Sequence, residues 1–254
     1  MDRVILGDTG IEVSRLGLGT VKFGRNQGVK YPQGFELPDD GALANLLAQA
    51  KDLGINMLDT APSYGTSEER LGGLLAGQRE DWVIVGKVGE EFEGGESSYV
   101  FTAEHFEMSV ERSLKRLKTD YIDVLLIHSD GTDMDILGDE AVVAKMHDLK
   151  RRGLVRAIGA STKTADGGIK CLELMDVVMA MYTPDYRDEQ PVLDYAAAHG
   201  KGVLLKKLLS SGHDTDVAAA MRFAMRHDCA PSAVIGTINP AHLKANVEAA
   251  EAAL

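Results

Sequence analysis

The run YIDVLLIH, residues 121–128, is nearly continuous in apolar side chains and ends in a histidine. Strict alternation of polarity marks a strand with one wet face. A run that lacks it belongs to a strand covered on both faces, as in a parallel sheet flanked by helices. Short runs of the same kind recur outward from it at residues 16–19, 57–59, 83–87, 157–161, 177–181, 203–206 and 233–235. Segments with helical periodicity separate them. Leu43, Leu46, Leu47, Ala50 and Leu53 form one apolar stripe, closed by Gly54 where a helix should stop. Phe106, Val110, Leu114 and Leu117 form another. Thr66 with Glu69 has capping-box spacing, and Asn239 before Pro240 suits a cap and a first helical position. About eight such strand and helix units close a (β/α)8 TIM barrel, expected here as one domain over residues 1–254.

A doubly wound open sheet is the alternative, since alternation of strands and helices is common to both folds. That fold binds phosphate through G-x-G-x-x-G between its first strand and helix. The only related stretch, LGLGT at residues 16–20, is too weak a match.

The chain has 254 residues, with 27 Lys and Arg against 39 Asp and Glu, for a formal net charge of −12. That balance disfavours a nucleic-acid or anionic-membrane partner. The opening MDRVILGDTGIEV has no signal-peptide apolar region, and no stretch is apolar for long enough to span a bilayer, so a cytoplasmic protein is expected. Cys171 and Cys229 are far apart and in no metal-like spacing, so they are read as small packed hydrophobes and no metal site is expected.

In a barrel the chemistry lies at the C-terminal ends of the strands. The residues that end the second to fifth runs are Asp59, Lys87, His128 and Ser161, with Tyr64 just beyond Asp59. Adjacent parallel strands are roughly 4.8 Å apart, so Asp59, Lys87 and His128 can share one small volume with Tyr64 above them. Together they make a proton-transfer device. A phenol titrates near 10 and is a poor donor at neutrality, but an adjacent ammonium favours its phenolate. Lys87 supplies the ammonium, Asp59 holds it, and His128 hydrogen-bonds a carbonyl or the phenol. Each residue alone also fits a structural role as a cap, a surface aromatic, a solvated lysine or a core histidine. The four together favour the functional reading.

These segments resemble the aldo-keto reductase superfamily over nearly the whole chain. The resemblance rests on the opening VILGDTGIEVSRLGLGT, read as a hairpin, and on LDTAPSYG, IVGKVG, YIDVLLIH, RRGLVRAIGAS and VIGTINPAHLKANVEAA, in that order. It implies a barrel with an N-terminal β-hairpin and hydride transfer between NAD(P)(H) and an aldehyde or ketone. Asp59, Tyr64, Lys87 and His128 would be the catalytic residues, with Tyr64 the general acid. By the same resemblance Thr20 and Ser161 would bind the cofactor, Ser161 at the nicotinamide carboxamide. Gly236, Thr237, Asn239, His242 and Asn246 would surround the adenosine phosphate end, where the free N–H groups of a helix start favour an anion.

The sequence departs from the family pattern in several places. Thr162 stands where many relatives carry Asn, Met179 replaces a glutamine, and Lys206 falls near the tyrosine that stacks on the nicotinamide. Lys206 is therefore assigned to the cofactor site as well. The family implies NADP(H) ahead of NAD(H), a preference weakened because Gly236 and His242 stand where relatives carry cations. Two alternatives accompany this reading: a Schiff-base aldolase using Lys206, with Lys207 beside it, and a nicotinamide-binding regulatory subunit with little turnover. The segment KFGRNQGVKYPQGFELP could cover the site, with Lys22, Arg25 and Lys30 attracting an acidic substrate, although a solvated loop is the preferred reading. The sequence leaves the substrate and the oligomeric state open.

Overall fold

The computed structural model describes residues 1–29, 34–208 and 216–254. A two-stranded antiparallel hairpin, β1 (Arg3–Ile5) and β2 (Glu12–Ser14), opens the chain. The barrel strands are β3 (Leu16–Gly19), β4 (Met57–Asp59), β5 (Val83–Val88), β8 (Ile122–His128), β9 (Val155–Ser161), β10 (Val177–Ala180), β11 (Gly202–Leu205) and β12 (Ser232–Ile235). They close parallel in the order β3-β4-β5-β8-β9-β10-β11-β12 and back to β3. The expected barrel and its N-terminal hairpin are both present, with strand ends within two residues of those read from the sequence.

Two apolar layers hold the barrel. Inside it, Met57, Val85, Val124, Leu126, Met179 and Leu204 meet Leu6, Ile11 and Val13, so the hairpin segment plugs one end of the barrel. Outside, the strands' other faces pack on helices. Helix α2 (Asp40–Asp52) buries Leu43, Leu46, Leu47 and Ala50, begins on Asp39, whose carboxylate accepts from the Ala42 N–H, and gives way to Gly54 at φ +84°. Helix α4 (Ala103–Leu117) buries Phe106, Val110 and Leu117 and is capped by the Thr102 hydroxyl. Each such apolar side chain contributes about 1.5–3 kcal/mol when taken from water.

Three local readings are corrected. The Thr66–Glu69 capping box does not form: Thr66 precedes α3 (Ser67–Leu74) at φ −87°, ψ 8°, and its side chain makes no capping bond. A side-chain cap needs extended backbone there. Second, the segment after β3 is not simply a solvated loop. It contains α1 (Val21–Gly24), with Phe23 fully buried, and Gly24 lies against the chain that carries Tyr64. Lys30 lies outside the described residues. Third, a hairpin that the sequence reading did not place, β6 (Glu90–Glu93) with β7 (Glu96–Tyr99), leaves the mouth end of β5. Gly89, at φ +104°, makes the turn into it, in a backbone region that side-chain-bearing residues rarely adopt.

Among the described residues, no helix is long and apolar enough to cross a membrane. Cys171 is buried in the core, and Cys229 is half-buried and packed at its edge.

Candidate active site

Sheet register brings the strand ends together. Asp59 lies beside Gly19 and Val85 on its two neighbours, Lys87 beside Leu126, and His128 beside Ser161. Asp59 and Lys87 are buried, and the Lys87 ammonium donates to Asp59 Oδ1 and, at 3.1 Å, to the Thr60 carbonyl. The Tyr64 hydroxyl donates to the other oxygen, Asp59 Oδ2, at 3.4 Å. Its ring centroid lies 4.9 Å from Lys87 Nζ and 6.4 Å from the His128 ring, which stands edge-on to it at 83°. Asp59, Lys87 and His128 from the strand ends and Tyr64 from the loop beyond Asp59 therefore share one site at the mouth of the barrel.

Ion pairs of this kind are poor stabilisers, since desolvating two charges offsets much of their attraction. Keeping one at the end of two apolar strands sets a fixed field on the adjacent phenol, which a surface pair screened by water could not do.

His128 has a partner that the sequence reading missed. Its Nδ1 lies 2.7 Å from Glu90 Oε2, although the in-plane N–H direction does not point straight at that oxygen. The same oxygen accepts from the Ser63 hydroxyl at 2.9 Å, and Arg25 lies 3.9 Å from Oε1. Burial works to raise the Glu90 carboxyl. The contact with His128 and the hydroxyls of Ser97 and Ser63 outweigh it and bring the group down to about 2. Burial pushes His128 below the usual imidazole range, and the Lys87 and Lys206 charges add to that against the pull of Glu90. Glu90 is thus a carboxylate and His128 a neutral ring near neutrality. The sequence signal was available, since Glu90 follows Lys87 by three residues. Its relevance depended on a hairpin that short polar runs do not announce.

Arg25 is not open to an acidic substrate. Its guanidinium donates to the carbonyls of Gln27, Gly28 and Ser63 and lies on the Phe92 ring, 3.5 Å from its centroid. Lys22 sits 5.1 Å from the Phe35 ring centroid, and burial lowers its ammonium.

The residues assigned to a nicotinamide dinucleotide fall in two groups. At the barrel mouth, the buried Ser161 accepts from Lys206 Nζ at 3.0 Å, and the same ammonium donates to the Thr162 carbonyl. Met179 is next to Ser161 on the adjoining strand. Burial brings Lys206 down to about 8 against the opposing pull of Glu189, whose carboxyl burial in turn raises. Thr20 is more enclosed: its hydroxyl is 2.9 Å from the Asp59 carbonyl and 2.7 Å from Ser67 Oγ. It ties β3 to the strand end that carries Asp59.

The second group lies at the start of α10 (Pro240–Glu251). Asn239 caps that helix, its side chain accepting from Ala241 N at 2.9 Å and His242 N at 3.4 Å. Gly236 and His242 are exposed, and Thr237 and Asn246 are buried on either side of the cap. Lys244, the nearest cation in sequence, lies 3.8 Å from Glu248. These residues fit a dinucleotide. A helix start favours phosphate, and the buried Thr162 hydroxyl beside Ser161 has no hydrogen-bond partner among the described residues, as a polar carboxamide pocket would leave it.

The fold is a closed (β/α)8 barrel whose mouth gathers Asp59, Tyr64, Lys87 and His128. A profile of the aldo/keto reductase family matches residues 15–216, and the chain belongs to that family. Among curated relatives, it is 29% identical to the uncharacterized oxidoreductase YqkF of Bacillus subtilis, over 83% of this chain and 69% of that one. It is 32% identical to L-galactose dehydrogenase of Arabidopsis thaliana, over 82% and 65%, and 32% identical to the NADH-specific methylglyoxal reductase of Escherichia coli, over 72% and 59%. It thus spans somewhat under two thirds of the length of those last two. A solved structure of a candidate aldo-keto reductase from Pseudomonas aeruginosa is similar at a TM-score of 0.91 and 55% identity, covering 99% of this chain and 95% of the other. The holo form of an aldo-keto reductase from Bacillus halodurans is similar at 0.83 and 25% identity, over 99% and 91%.

Proposed function

We propose that this protein reduces an aldehyde or ketone with Tyr64 as the general acid, and that Asp59, Lys87 and His128 set the protonation and position of that phenol. One observation carries the reading: Tyr64 donates to the carboxylate that also holds a buried lysine, and stands edge-on to His128 in the same mouth. A bound nicotinamide dinucleotide supplies the hydride. Ser161 and Lys206 are assigned to its nicotinamide end, and Gly236, Thr237, Asn239, His242 and Asn246 to its phosphate end. Thr20 is assigned to the cofactor site as well, where its hydroxyl holds the strand end that carries Asp59. The phenol gives its proton to the carbonyl oxygen as that oxygen gains charge, and the Lys87 ammonium stabilises the phenolate left behind.

NADP(H) is taken ahead of NAD(H) on the family's pattern. The exposed Gly236 and His242 leave the 2′-phosphate without a fixed cation, and one relative is NADH-specific in its name. Titrating the protein with NADPH and NADH, followed by a panel of aldehydes and ketones read at the nicotinamide absorbance, tests class and preference together. Cofactor binding without turnover of any carbonyl would favour a regulatory subunit.

The Schiff-base reading has one observation in its favour, the half-buried Lys206 amine brought down to about 8. Borohydride trapping of a substrate on Lys206, without added cofactor, would carry it past the reductase reading.

A further inference from the structure

We infer that Lys206 makes the nicotinamide site selective for the oxidation state of its ligand: its ammonium favours the neutral, reduced ring and works against the cationic, oxidised one. The inference deepens the reductase reading and rests on it for the presence of a nicotinamide beside Ser161.

The fold fixes where this charge lies. Lys206 directly follows β11, and its backbone N–H donates at 2.9 Å to the carbonyl of Ala180, the last residue of β10. From there the side chain crosses the end of β10 to Ser161 at the end of β9, and Ser161 is the register partner of His128. The Lys206 charge acts on His128 as well, so it stands on the reacting side of the mouth.

Lys87 and Arg25 at that mouth each face a carboxylate, Asp59 for the one and Glu90, at 3.9 Å, for the other. Lys206 donates instead to two uncharged oxygens, Ser161 Oγ at 3.0 Å and the Thr162 carbonyl. Among the described residues, no carboxylate oxygen comes within 4.0 Å of its ammonium. The acidic groups that act on it from further away are Asp133 and Glu189. Asp133 already accepts from the Ser129 hydroxyl, the N–H groups of Lys163 and Thr164, and the Thr164 hydroxyl. Glu189 is buried, one of its oxygens has no hydrogen-bond partner among the described residues, and burial pushes its carboxyl toward the neutral form. Lys163 and Lys207 add charge of the same sign as Lys206, so three cations stand against at most two anions while Lys206 holds its proton.

Loss of hydride takes two electrons and one proton from a nicotinamide and leaves its ring with a positive charge. The oxidised and reduced cofactors are otherwise alike, so an unmatched ammonium beside the ring acts on their difference. A cofactor held preferentially in its reduced form is a weaker hydride donor than in a neutral site. Once oxidised, it also leaves more readily.

The test measures binding and not turnover. Kd values for NADPH and NADP+, with NADH and NAD+ as a second pair, are taken by calorimetry on the full chain at pH 7 and pH 9.5. Wild type is compared with Lys206→Met, which keeps a long stem and removes the charge. At pH 7 the ratio of oxidised to reduced Kd should be about tenfold or more higher in the wild type, the scale of two charges a few Å apart at an effective dielectric constant near 20. Burial brings Lys206 down to about 8, so at pH 9.5 the wild-type ratio should fall toward that of the variant, whose own ratio changes little. Lys206→Arg keeps the charge and should hold the ratio high at both pH values. The same ratio in wild type and Lys206→Met overturns the inference, and so does an equal loss of affinity for both forms, which would put the ammonium against the phosphates. Should a variant not fold, a wild-type ratio that does not fall between pH 7 and pH 9.5 overturns it alone. Binding of neither form removes the proposed function together with this inference, whereas binding of both with an unmoved ratio removes the inference only.

Discussion

Lys87 and Tyr64 are set as a cation over a phenol: the ammonium lies 4.9 Å from the ring centroid while its charge is held by Asp59, whose second oxygen receives the Tyr64 hydroxyl at 3.4 Å. The carboxylate thus touches both partners. It fixes the geometry of the acid while the lysine supplies the field that favours its anion.

Replacement of Tyr64 by Phe keeps the ring and removes the hydroxyl that the proposed mechanism assigns to the carbonyl oxygen. Cofactor affinity should be retained and carbonyl reduction should fall on the order of 10²-fold or more, as for loss of a positioned proton donor. Steady-state kcat beside a fluorescence titration of NADPH separates the two. Turnover within a few-fold of wild type would take Tyr64 out of the mechanism.

Lys87→Met leaves the Asp59 carboxylate enclosed without its cation. Breaking a buried pair in this way costs about 3–5 kcal/mol, so a clear drop in denaturant midpoint is expected. The double variant Asp59→Asn/Lys87→Met should recover much of that stability and none of the activity. Equal destabilisation in both would mean that the pair is not electrostatically coupled.

Lys206 allows a pH test with a definite sign. Its folded value of about 8 lies below the ordinary lysine value, so between those limits the unfolded chain binds more protons and stability rises with pH. Below about 8 the lysine is charged in both states and its burial penalty is fully present. Lys206→Met should therefore raise Tm more at pH 7 than at pH 9.5. A gain independent of pH would show that the amine is not held against its charge. Lys206→Tyr should preserve hydride transfer and chiefly change cofactor affinity.

Gly24 reaches the site through packing alone. A Cβ there would stand 2.2 Å from Ser67 N and 2.5 Å from the Tyr64 carbonyl oxygen, both backbone atoms with little room to move. Gly24→Ala is expected to cost about 1–3 kcal/mol by overpacking and to lower kcat by displacing Tyr64. Unchanged melting and kinetics would mean that the Tyr64 loop can give way freely.

The sequence by itself determined the barrel and the strand ends that meet at its mouth. Runs such as residues 122–128 have too few polar side chains for any but a covered parallel strand, and the stripes of α2 and α4 fix which faces cover them. Once strands of that kind close in order, Asp59, Lys87 and His128 must fall on neighbours, because register in a parallel sheet places successive strand ends side by side. What the sequence could not supply was the set of contacts made by segments without periodicity. Nothing in GEEFEGGESSY distinguishes a hairpin that delivers Glu90 to His128 from a charged loop. Arg25 read as a free cation although the fold commits every arm of it. The hydroxyl of Thr66 fitted a cap that its backbone angles refuse. Burial patterns are written into the chain as apolar spacing, but a polar contact depends on where two distant segments meet, and only the closed tertiary structure decides which donors and acceptors are left to pair.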